Sequence, residues 1–174
     1  MCGEEFKKLQ NQVEGYNHLF KVLKLSQPLL QSPADFLPVV EAIKQQVPAL
    51  KNGEAVVFMG HGTSNESQRV YSNLESFLKV NGVNGFIGTL KGEPGIQTVI
   101  KKLEEMQVKE VILMPLLLAT GHHVKRDMIE DKADSWKNQL EIHGFKVQIY
   151  LQGLGENPKI QQRFLDLIFH CINQ

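Results

Sequence analysis

Two periods alternate along the chain. Apolar positions recur at helical spacing over Glu4–Asn17, Ala34–Gln46, Glu66–Val80, Gly95–Met106, Val124–His143 and Pro158–Ile172, and each stretch is predicted to be a helix. Short β-rich runs lie between them at Phe20–Leu25, Ala55–Met59, Val83–Ile87, Val111–Leu118 and Lys146–Leu151. The runs at 55–59 and 111–118 are apolar throughout, as expected of strands covered on both faces. Strands alternating with helices imply right-handed crossovers and a parallel sheet, so the expected fold class is α/β.

The pattern repeats itself once. "FKVLKLSQPLLQSP" (20–33) aligns without gaps to "FKVQIYLQGLGENP" (145–158), with Phe20/Phe145, Lys21/Lys146, Val22/Val147, Gln27/Gln152, Leu29/Leu154 and Pro33/Pro158 coinciding. Each copy follows a predicted helix and leads into a helix opened by proline, which the first helical turn tolerates. Duplication explains the matching flanks better than chance. The later copy is preceded by three further strands and the earlier copy by none. The expected organisation is therefore a remnant of one half at 1–32 and a complete α/β domain at 33–174, with helix 33–47 able to pack on either.

Two of the apolar runs end alike. "AVVFM" leads into "GHGTSNE" (60–66), and "VILMPLLLA" leads, through Thr120, into "GHHVKRD" (121–127). In an open parallel sheet, ligands gather outside the carboxyl ends of the strands. His61 and the His122/His123 pair are thereby expected on one rim. Gly60, Gly62 and Gly121 allow tight turns and close approach. Thr63 and Ser64 are placed to cap the following helix, whose free amides attract anions, and Lys125 and Arg126 add positive charge beside the second histidine. Imidazoles in the middle and anion-binding groups around them suit a metal ion meeting a polycarboxylate. His18, His143 and His170 lack such a setting and read as solvated. Asp127, Asp131 and Asp134 fall on one face of the predicted helix, read as a solvated face, and Trp136 reads as core.

Composition narrows the classes. The chain has 174 residues, 42% hydrophobic, enough for one domain with a real core. Nineteen basic and nineteen acidic side chains cancel, so no global field points to nucleic acid or an anionic membrane. No apolar stretch reaches the roughly 18 residues of a membrane span, and the N-terminus has no apolar signal core. Cys2 and Cys171 form no ligand spacing and are expected as free thiols of a cytoplasmic protein.

"MGHGTS" (59–64), "GTLKGEP" (88–94), "LMPLLLATGHHVKRDM" (113–128), "DKADSW" (131–136) and "YLQGLGENP" (150–158) resemble the anaerobic sirohydrochlorin cobalt chelatases of the CbiK type. "GEEF" (3–6) and "QPLLQSP" (27–33) resemble segments that close the N-terminal half of that family. The resemblance implies a chelatase-like three-layer fold, with a four-stranded parallel sheet flanked by helices. It also implies two such halves facing each other across a tetrapyrrole cleft, with only the tail of the first half present here.

The family's metal site comprises two histidines and a glutamate. By the resemblance the histidines fall on His61 and His123, while the glutamate position falls on Lys91 of "GTLKG". An ammonium repels a divalent cation, so this is a departure from the family pattern. Glu93, two residues on, is the candidate substitute, constrained by the proline that follows it.

The implied activity is that of a lyase: insertion of cobalt(II) into sirohydrochlorin or precorrin-2 in anaerobic cobalamin (porphyrin-type) biosynthesis. His61 would be a metal ligand and the pyrrole-proton acceptor, His123 a metal ligand, and Gly62, Thr63, Ser64, Lys125 and Arg126 would hold substrate carboxylates. Cobalt is the expected metal substrate, with iron and nickel as alternatives, and no organic cofactor is implied. The expected partner is a second copy or a separate N-terminal half. Two other readings remain open: a truncated, non-catalytic half that binds metal or tetrapyrrole, and a generic α/β protein with structural histidines.

Overall fold

Four parallel strands form one sheet: β1 (Glu54–Gly62), β2 (Gly85–Lys91), β3 (Glu110–Pro115) and β4 (Lys146–Ile149). The structure, a computed structural model, describes residues 3–62 and 69–173. The strand order is β2-β1-β3-β4, and the helices are α1 (Glu4–Gly15), α2 (Phe36–Gln46), α3 (Arg69–Val80), α4 (Ile96–Glu105), α5 (Trp136–Ile142) and α6 (Pro158–Asn173).

Side-chain alternation along β1 builds the layers. Val56 and Phe58 point to one face and pack with Val40, Ile43, Leu74 and Ile160 of α2, α3 and α6. Ala55, Val57 and Met59 point to the other and pack with Val99, Leu103, Trp136 and Leu140 of α4 and α5. Burial of each such valine, leucine or phenylalanine stabilises the fold by about 1.5–3 kcal/mol. The result is the expected α/β fold of three layers. Helix α2 packs on this same body: the Phe36 ring stacks on Phe77 with centroids 5.1 Å apart, and Asp35 meets Arg163 Nη2 at 2.6 Å.

Several elements differ from the sequence pattern. Residues 20–25 form no strand, because among the described residues no neighbouring strand offers them a ladder; Phe20 and Val22 remain 56% and 71% exposed. β1 continues past Met59 through His61, because Gly60 and Gly62 pair in register with Thr89 and Lys91 of a longer β2. β3 ends early, at Pro115, and the chain beyond it leaves the ladder. The Leu116 amide then bonds the Met59 carbonyl at 2.8 Å, and Leu117 and Leu118 carbonyls accept from Leu154 and Gly155 amides.

The helix expected over 124–143 is broken. A π-helical turn, Val124–Ile129, ends where Glu130 takes an extended ψ of 145°. α5 starts afresh with Ser135, whose hydroxyl accepts from the Asn138 amide at 3.3 Å. Asp127, Asp131 and Asp134 consequently share no helical face, and Asp131 instead accepts from the Asn138 side chain. Trp136 is core, 3% exposed, as expected. Among the described residues, no helix is long and apolar enough to cross a membrane.

Candidate metal centre

The carboxyl ends of β1 and β3 bring two imidazoles together. His61 lies on the last turn of the β1 pleat, and His123 comes at the end of the loop that follows β3. Their ring centroids are 4.9 Å apart with planes inclined by 74°. Metal–nitrogen bonds of about 2 Å put an ion about 3 Å from each ring centre, so two rings sharing a tetrahedral ion stand about 5 Å apart. The observed pair has that separation. His122 is more remote, its ring 6.3 Å from that of His123, and it is exposed. Among the described residues no cluster of three or more His, Cys, Asp or Glu side chains is poised for a metal.

Each ring has a local support. His61 Nδ1 lies 3.2 Å from the Gly62 carbonyl oxygen. His123 Nδ1 lies 2.8 Å from Asp127 Oδ2, and Asp127 is held by Arg126 through Nε to Oδ1 at 2.6 Å and Nη2 to Oδ2 at 2.9 Å. The Arg126 bonds are the main cause that lowers the Asp127 carboxyl to about 2; partial burial opposes this and His123 assists it. Arg126, expected at substrate carboxylates, thus directs two of its donors to Asp127, whereas Lys125 stays exposed on the rim.

Among the described residues, the two expected at or near a third ligand position, Lys91 and Glu93, do not join the histidine pair in a cluster that could hold a metal. Lys91 is exposed at the end of β2 and pairs in register with Gly62. The two backbones nearly touch: a Cβ on Gly62, whose φ is +79°, would lie 1.9 Å from the Lys91 carbonyl oxygen. Glu93 is engaged elsewhere. Its Oε2 accepts from the Gly95 amide at 3.0 Å and the Thr98 hydroxyl at 2.9 Å at the start of α4, and the Gly95 bond leads in lowering its pKa. Thr63 and Ser64 lie outside the described residues.

An apolar cavity of about 460 Å³ adjoins the pair, with His61 in its wall. Pro28, Leu29 and Leu30, Leu116 to Leu118, and Phe6 and Leu9 of α1 enclose it. This volume lies in the range of small-molecule sites. Glu5 also lines it, and sequence reasoning missed this residue as a site group. Its carboxyl is lowered chiefly by the hydrogen-bonded ion pair with Lys8 at 2.8 Å, with Lys91 adding its positive field. The only sequence signal was its place in "GEEF", since residues of α1 and β1 come to line one cavity only through the tertiary fold.

Comparison with known proteins bears on the family and the fold. The family model for cobalt chelatase (CbiK) matches residues 1–173. A sirohydrochlorin cobaltochelatase of Salmonella typhimurium is 35% identical over 171 residues, covering 98% of this chain and 65% of the relative. The sirohydrochlorin cobaltochelatase CbiKC of Nitratidesulfovibrio vulgaris is 32% identical over 167 residues, covering 94% of this chain and 59% of the relative. The chain therefore spans less than two thirds of the length of either. Among solved structures, SirB from Bacillus subtilis with Fe3+ superposes with a TM-score of 0.61 at 18% identity, over 94% of this chain and 64% of that one. The CbiX protein of Marinobacter aquaeolei VT8 gives 0.55 at 20% identity, over 69% and 95%. These two likenesses bear on the fold alone.

Proposed function

The chain belongs to the CbiK cobalt chelatase family, and from that premise we propose that it takes part in inserting cobalt(II) into a sirohydrochlorin-type tetrapyrrole. The observation that carries this is the His61–His123 pair at 4.9 Å beside an apolar cavity. Insertion requires the ion to shed water, the macrocycle to lose two pyrrole protons, and the two to meet in register. Two imidazoles hold a first-row divalent ion while leaving positions for ring nitrogens, and cobalt, iron and nickel all suit such donors. A neutral histidine also accepts a pyrrole proton near pH 7. The cavity's leucines would meet the macrocycle face, and Gly62, Thr63, Ser64 and Lys125 its carboxylates, with Arg126 mostly committed to Asp127. Glu5 supplies a carboxylate at the same mouth.

We further propose that residues 1–32 belong to the tail of a second half. On this reading the facing wall of the cleft comes from another copy of the chain or from a separate N-terminal half, giving a homo-oligomer or a complex. The alternative is a half that binds metal or tetrapyrrole without turnover, and Lys91 in place of the family glutamate favours it. The cobalt-dependent change in the sirohydrochlorin absorption spectrum decides between them. It should appear with the wild type and vanish in His61→Ala and His123→Ala. No insertion, even with an added N-terminal half, rules out the enzyme reading. A much faster Lys91→Glu variant supports a decayed site.

A further inference from the structure

We propose that Asp127, gripped by Arg126, is a positioning residue for His123: it fixes that ring as the Nδ1–H tautomer and so presents Nε2 to the ion. The inference rests on the reading of His61 and His123 as the pair that meets the metal. His123 Nδ1 is 2.8 Å from Asp127 Oδ2. An ionised carboxylate only accepts, so the proton between them belongs to Nδ1, and the Nε2 lone pair is the one left for coordination.

The local fold delivers this contact. His123 immediately precedes the π-helical turn Val124–Ile129, and Asp127 follows it four residues on, one turn along the same face. Val124 and Met128, 1% and 0% exposed, anchor the turn in the core. The carboxylate cannot swing freely, because Arg126 holds both of its oxygens in a fork. That fork gives Arg126 a use other than substrate binding. His61 reaches the same state by another route, since its Nδ1 faces the Gly62 carbonyl, which also only accepts. Two different supports, one side chain and one main chain, thus offer the same nitrogen from both rings.

The test reads tautomers directly. A two-bond ¹H–¹⁵N correlation spectrum of the metal-free chain should show His123 as a single Nδ1–H form, and Asp127→Ala should show both forms with His61 unchanged. Cobalt(II) affinity, followed by d–d absorption, should fall roughly 10–100-fold in Asp127→Ala, and Asp127→Glu should recover part of it. Asp134→Asn removes a like charge outside the fork and should change neither readout. If Asp127→Ala melts early, Asp127→Asn serves instead, because its amide can donate to the ring as well as accept and the second tautomer should appear. A His123 that keeps one Nδ1–H form in these variants, or an unchanged cobalt affinity, overturns the proposal. A wild type that binds no cobalt would sink the metal reading, while the metal-free spectra would still decide whether Asp127 sets the tautomer.

Discussion

Residues 20–33 and 145–158 share six positions in the same order, yet they fold differently. The second copy supplies β4, paired along β3 from Glu110↔Lys146 to Leu113↔Ile149, and buries Phe145 to 6% exposure. The first runs without a ladder, and the matching Phe20 is 56% exposed. Composition and local propensity are nearly the same, so the difference comes from the neighbour. β4 lies beside a strand whose amides and carbonyls need partners; among the described residues, 20–25 lie beside none. Strand formation here is a property of the pair of segments rather than of either one.

Breaking the buried copy should have the largest effect. Phe145→Ala should lower stability by about 3–5 kcal/mol, whereas Phe20→Ala should change it by less than about 0.5 kcal/mol; urea denaturation measures both. Next comes the acidic residue that follows the first copy. Burial raises the Asp35 carboxyl, but the Ser32 and Gln31 amides, the Ser32 hydroxyl and Arg163 outweigh it and hold it below the ordinary aspartate range. A carboxyl lowered on folding contributes stability above its unfolded pKa and loses it as pH falls through the folded value. Wild type should therefore lose this contribution below about pH 4. Asp35→Asn should lack that step and be about 1–3 kcal/mol weaker at neutral pH, as acid unfolding curves would show.

Glycine separates the copies further. A Cβ on Gly153 would stand 2.6 Å from the Leu118 carbonyl oxygen, in the loop that leads to His123, whereas the aligned residue of the first copy is Pro28. Gly153→Ala should cost about 1–2 kcal/mol and weaken cobalt binding, while Pro28→Ala should do less on both counts in melting and metal titrations. The smallest effect on stability belongs to Phe20→Ser with Val22→Asp, within about 0.5 kcal/mol. If these side chains face a partner half, the same double variant should reduce the mass seen by light scattering at micromolar concentration.

The sheet was legible because β1 and β3 are apolar over whole runs, which only a strand buried on both faces requires. The histidine pair was legible because glycine-flanked imidazoles at strand ends are an unusual use of residues. The Phe20–Leu25 strand misled, since propensity carries no record of a missing neighbour. The break at 130–135 escaped notice because the helical period continues through it, and only the Ser135 cap marks the restart. Glu5 and the Asp127–His123 contact were hidden for different reasons. The first depends on packing between distant segments. The second depends on a turn whose pitch the sequence does not announce.

Position 91 has an evolutionary corollary. It stands at the end of β2, paired in register with Gly62, and its side chain is exposed, so no core contact dictates what grows there. Codons for lysine and glutamate differ by one base. A lineage carrying this chain can exchange a cation for an anion beside the carboxyl end of β1 in one mutational step, with nothing in the interior needing to change first.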